Sequence, residues 1–144
     1  MKKFMYCLLA ALLVQIILTV LAFQHLTWWQ ALLASFFAFD TTFTGGVNVA
    51  AANGRIVVAA GAGGGPHVKV IDGARMNDKR PDGVISEAAL VGNFFAYDLT
   101  FTGGVNVAAG DVNRDGVLDI VTGAGAGGTS HVKVIDGNRM NDVQ

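Results

Sequence analysis

From Val47 onward the chain runs in short stretches where apolar residues alternate with polar or small ones, separated by glycine-rich turns. A period of two is the mark of half-buried strands. Residues 47–51 (VNVAA) read as one strand, and the Asn53-Gly54 pair after them is the strongest short signal for a tight hairpin. Residues 55–60 return alongside. After Gly61-Ala62-Gly63-Gly64-Gly65-Pro66 comes a strand at 67–71, with Val68 and Val70 on one face. The glycines there let strand ends approach a neighbouring backbone closely. Further strands are expected at 90–97, 105–109, 118–122 and 131–135, and a lone outer strand at 35–40 precedes them all. Residues 72–89 are the longest polar connection, and Lys79-Arg80-Pro81-Asp82-Gly83 marks a solvated surface turn within it.

The pattern before residue 35 is of another kind. Residues 4–23 contain only Gln15 and Thr19 as clearly polar members, after a basic Lys2-Lys3 start. As a helix, such a run is about 30 Å long at ~1.5 Å per residue, enough to cross a hydrocarbon core. A cleaved leader, with Val20 and Ala22 before the cut, is the competing reading. It fits less well, because secretory cores run about 7 to 15 residues and apolar character resumes here at Trp28, Trp29, Leu32 and Leu33. The expectation is one long apolar helix within residues 1–34, serving as membrane anchor or assembly core. Lys2 and Lys3 would then stay cytoplasmic, the rest would lie outside, and Trp28 and Trp29 would sit in an aromatic belt. His25 reads as interfacial, beside Gln24 and Thr27, in preference to a metal or pigment ligand.

The strands form a repeat. Residues 32–78 reappear as 90–142, with Phe36 matching Phe94 at a spacing of 58 and His67 matching His131 at a spacing of 64. The six extra residues all fall where the second copy carries Asp111-Val112-Asn113-Arg114-Asp115-Gly116-Val117-Leu118-Asp119 and the first carries Ala52-Asn53-Gly54-Arg55. In the acidic stretch oxygen-bearing side chains alternate along a short loop, and calcium accepts six to eight oxygens at about 2.3–2.6 Å. Asp111, Asn113, Asp115 and Asp119, with the Val117 carbonyl, are the candidate ligands, and Gly116 allows the turn between them. A solvated Asp/Asn/Gly turn is the plainer reading of the loop alone. Only the second copy keeps these ligands, so one Ca2+ site per chain is expected.

Composition narrows the function. A net charge of −1 over 144 residues offers no basic surplus for nucleic acid, and Cys7, the single cysteine, permits no intrachain disulfide. No Ser/His/Asp or Cys/His arrangement and no zinc spacing is visible, and Glu87 is the only glutamate. The chain is therefore expected to be non-enzymatic.

The pattern FFAYD, FTGGVNVAAGDVNRDGVLDIVTGAGAGG, HVKVIDG resembles the FG-GAP or VCBS-type repeat of bacterial surface proteins, related to the blades of the integrin alpha-chain propeller. The likeness implies a mainly β fold of two four-stranded antiparallel propeller-type blades behind the N-terminal helix. It implies calcium at Asp111, Asn113, Asp115, Val117 and Asp119, and a membrane-anchored or cell-surface setting. The divisions expected are 1–34 for the helix, 35–89 for a first blade without metal, and 90–144 for a second blade lacking its own last strand. Propellers usually close with about four to eight blades, and an open edge invites pairing. The expectation is head-to-tail self-association, with residues 35–40 of one subunit completing the last sheet of the next as a ring or filament. Docking on a larger membrane complex and a truncated propeller fragment are the alternatives.

Overall fold

The computed structural model describes residues 15–16 and 31–143. The chain divides into two compact units, Met1–Ser35 and Phe36–Gln144. In the first unit Gln15 and Ile16 are helical and residues 31–34 are not. The rest of the apolar run at 4–23 lies outside the described residues, as do His25, Trp28 and Trp29. Among the described residues no helix is long and apolar enough to cross a membrane.

The second unit is mainly β. Blade 1 holds β1 (Val47–Ala52), β2 (Arg55–Ala60), β3 (His67–Asp72) and β4 (Leu90–Phe95), neighbours in that order. Blade 2 holds β5 (Val105–Gly110), β6 (Asp119–Ala124) and β7 (Val132–Ile135). All pairings are antiparallel. The hairpin at Asn53-Gly54 forms as expected, with φ of 49° and 70° at the two turn residues and Ala52 opposite Arg55. Positive φ at both centres is what a two-residue hairpin turn requires. Among the described residues the second sheet has three strands, against four in the first.

Alternation along the strands sorts the side chains into two cores. Val57, Ala59, Val68, Val70 and Phe94 line one face of blade 1 and pack against Val105, Leu118, Ile120 and Ile135 of blade 2. Each such branched or aromatic side chain contributes about 1.5–3 kcal/mol by leaving water. The opposite face of blade 1, carrying Val58 and Ile71, is covered by Ala38, Ile85 and Ala89. The blades are also joined by backbone. A side chain on Gly104 would place its Cβ 2.7 Å from Ala62 N, and this close approach lets Gly63 N donate to Thr102 O at 2.8 Å. Nearby, Asn48 Nδ2 donates to Val105 O at 2.8 Å.

Two expectations need correction. Residues 35–40 form no strand: Phe37 makes one parallel bridge to Val84, donating to Gly83 O at 3.0 Å and accepting from Ile85 N at 2.9 Å. A turn offers too short a partner for a ladder. The connection after β3, expected as polar, also carries a core residue, since Ile85 is 1% exposed and closes the second core. Lys79, Arg80 and Asp82 do stay exposed, as expected, with Arg80 Nη2 2.6 Å from Asp82.

Candidate metal centre

The acidic loop joins β5 to β6, at the position where the Asn53-Gly54 turn joins β1 to β2. Its longer path needs two left-handed residues, Arg114 at φ 65° and Gly116 at φ 85°. Glycine adopts that conformation freely, and the arginine does so at some cost.

Within the loop, side-chain oxygens fold back onto backbone donors. Asp111 accepts from Asp115 N at 3.1 Å and from Gly116 N at 2.9 Å. Asn113 Oδ1 accepts from Asp115 N at 3.0 Å, and Asp115 Oδ1 accepts from Val117 N at 2.8 Å. Asp115 Oδ2 accepts from the Asn113 amide at 3.1 Å. Asp111, Asn113 and Asp115 are exposed on this rim, while Val117 is half-buried.

Asp119 is set apart. It opens β6, is 1% exposed, and its Oδ2 accepts from Val112 N at 2.9 Å and Asn113 N at 3.2 Å. Its Oδ1 accepts from Gly137 N at 3.1 Å, in the turn after β7. The Gly137 bond, with those from Val112 and Asn113, holds this carboxyl below the ordinary carboxylate range against the opposing effect of burial. One carboxylate thus ties the loop, the start of β6 and the exit from β7.

The structure brings Asp111, Asn113 and Asp115 into one hydrogen-bonded rim and places Asp119 at the base. Among the described residues, no three His, Cys, Asp or Glu side chains converge into a metal-holding cluster. The chemistry of the donor set nonetheless suits a hard cation, because every candidate donor is oxygen and Arg114 is the only cation within a stretch holding three carboxylates.

One contributor was not singled out from the sequence. Asn138 Nδ2 donates to Asp115 Oδ2 at 3.0 Å from the turn after β7. The repeat itself carries the signal, because position 138 is Asn in the copy with the acidic loop and its counterpart, Ala74, has no polar side chain. His67 and His131, at equivalent places in the repeat, each lie against an aromatic ring. His67 lies 2.6 Å from Asn93 Oδ1 and stacks on Phe95 at 4.7 Å, and burial pushes its pKa down.

Against known proteins, residues 103–137, which run from the entry turn of blade 2 to the exit of β7, match the family model of the FG-GAP repeat. No curated protein and no solved structure matches the chain.

Proposed function

We propose that this chain, with an FG-GAP repeat at residues 103–137, is a non-enzymatic structural module. Its blades pack face to face, and its acidic loop takes one calcium ion as a clip. Asp111, Asn113, Asp115 and Asp119 would supply side-chain oxygens and Val117 its carbonyl. The ion would offset carboxylate repulsion that Arg114 alone does not balance. Weak, millimolar-range sites are suited to extracellular modules, and the apolar run at 4–23 would hold the blades at a membrane facing outward.

The observation that carries this reading is the position of Asp119. Its three backbone bonds join Val112 and Asn113 in the loop to Gly137 beyond β7, so fixing the loop fixes the hairpin and the strand next to it. A ligand that binds only the folded state stabilises it by about 1.4 kcal/mol at ten times its Kd. For a domain of this size that is a rise in Tm of about 5 °C. The test is a pair of melting curves, in excess chelator and in millimolar calcium, for the natural chain and for Asp115→Ala. The expected rise appears in the natural chain and is lost in the variant. Identical curves for the natural chain with and without calcium would remove the ion from the account.

A further inference from the structure

The repeat allows the entry to each blade to be compared contact by contact. Tyr97 leads into blade 2, with its ring 5.9 Å from Phe101, 5.6 Å from His131 and 5.2 Å from Lys133 Nζ. Phe39 leads into blade 1 through the same set, 5.9 Å from Phe43, 5.3 Å from His67 and 5.4 Å from Lys69 Nζ. Asp98 accepts from Thr100 N at 2.8 Å and from its hydroxyl at 2.6 Å, and Asp40 does the same for Thr42 at the same distances. Residues 36–43 therefore sit on blade 1 as residues 94–101 sit on blade 2. What precedes Tyr97, however, is β4, the outer strand of blade 1. Among the described residues, what precedes Phe39 joins neither sheet.

The complementary gap is on β7. In blade 1, β3 is covered by β4, with His67 opposite Phe95, Val68 opposite Phe94, Lys69 opposite Asn93, Val70 opposite Gly92 and Ile71 opposite Leu90. Its counterpart β7 pairs only with β6 among the described residues. On the sheet face that blade 2 covers in blade 1, Val132 and Val134 occupy the places of the fully buried Val68 and Val70 and are 62% and 57% exposed, so the face of blade 2 beside this edge is uncovered as well.

We infer that residues 32–37 of one copy of this chain add to β7 of a second copy as its fourth strand. This names the partner of the module proposed above, rests on its blade reading, and is independent of the calcium. The register is the one β4 keeps with β3: Phe37 opposite His131, Phe36 opposite Val132, Ser35 opposite Lys133, Ala34 opposite Val134 and Leu32 opposite Ile135. Residues 32–37 read LLASFF where β4 reads LVGNFF. Leu32 and Phe37 are 60% and 55% exposed. Phe37 donates its N–H to Gly83 O and accepts at its C=O from Ile85 N, and since successive extended residues point to opposite edges, the N–H and C=O of Phe36 face the other way. That edge is the one on which its counterpart Phe94 meets Val68.

The donation joins two molecules. Phe36 and Ala38 pack on the Val58 and Ile71 face of blade 1, and blade 2 packs on the face opposite, so Phe36 lies across a whole sheet from its own blade 2. Donor and acceptor are different surfaces, so the contact is head to tail and propagates from copy to copy.

Cysteine pairs test the register in the full chain, in mild detergent, with Cys7→Ser as background. Ser35→Cys with Lys133→Cys places the two side chains at a cross-strand pair without hydrogen bonds, about 4.5 Å between Cα atoms and within disulfide reach. Oxidation is expected to give a ladder of multimers on a non-reducing gel. Ser35→Cys with Val134→Cys, one residue out of register and on the other face, is expected to stay monomeric. Val132→Asp with Val134→Asp, added to the first pair, should abolish the ladder while the chain still melts cooperatively. A single monomer band for the in-register pair, or equal ladders for both pairs, overturns the inference. If the ladder is missing but calcium still raises Tm, strand addition fails and the metal reading survives. A ladder without a calcium effect gives the reverse.

Discussion

The two hairpin junctions solve one closure problem in different ways. In blade 1, Asn53 and Gly54 turn the chain in two residues, and Arg55 at the start of β2 pairs with Asp72 at the end of β3 at 2.9 Å. In blade 2 the position of Arg55 is taken by Asp119, and that of Asp72 by Asp136. A built-in cation facing an acid has become two acids, with a loop of further acids above them. Blade 1 carries its own counter-charge, and blade 2 recruits backbone N–H groups from Val112, Asn113 and Gly137. The difference shows how a repeat can keep its strands and register while its corner changes from a two-residue turn to an acidic loop.

The largest effect should come from the core that the two blades share. Ile120 is fully buried between them, whereas its counterpart Ile56 is partly exposed beside the second core. Ile120→Ala should cost about 2–5 kcal/mol, and Ile56→Ala clearly less, in urea unfolding followed by circular dichroism. Equal losses would mean that the shared face is not the main source of stability.

Acid should act on blade 2 through Asp119. Because the folded carboxyl is held below its unfolded value of about 3.9, its contribution is complete above that value and is lost as pH falls through the depressed folded one. In calcium-free buffer Tm should therefore drop on acidification below about pH 4, and Asp119→Asn should flatten that drop. A variant with the same acid limb would place the titrating group elsewhere.

The smallest effect belongs to the blade 1 corner. Arg55 and Asp72 are both partly exposed, so Arg55→Ala should cost about 0–1 kcal/mol and still less in high salt. A loss above about 2 kcal/mol would show that the pair, more than the turn, closes blade 1.

Much of this comparison was legible in the sequence because it is local. The period-two runs gave the strands within a residue or two, Asn53-Gly54 gave the turn, and the spacing change from 58 to 64 located the loop. What escaped depends on chain segments far apart. The run Ser35-Phe36-Phe37 has strand composition, but its partner is a turn at Gly83, Val84 and Ile85, which no periodicity announces. Ile85 lies in a charged connection, and no local pattern announces its place over Val58 and Ile71. Asn138 was hidden for a similar reason, since its link to Asp115 spans 23 residues.

The most direct test of the contrast between the two corners is a calorimetric calcium titration of the full chain, reporting ions bound per chain. The account predicts one, lost in Asp115→Ala and unaffected by Arg55→Ala. Two ions per chain, or none, would contradict the claim that one blade is closed by a turn and the other by a cation.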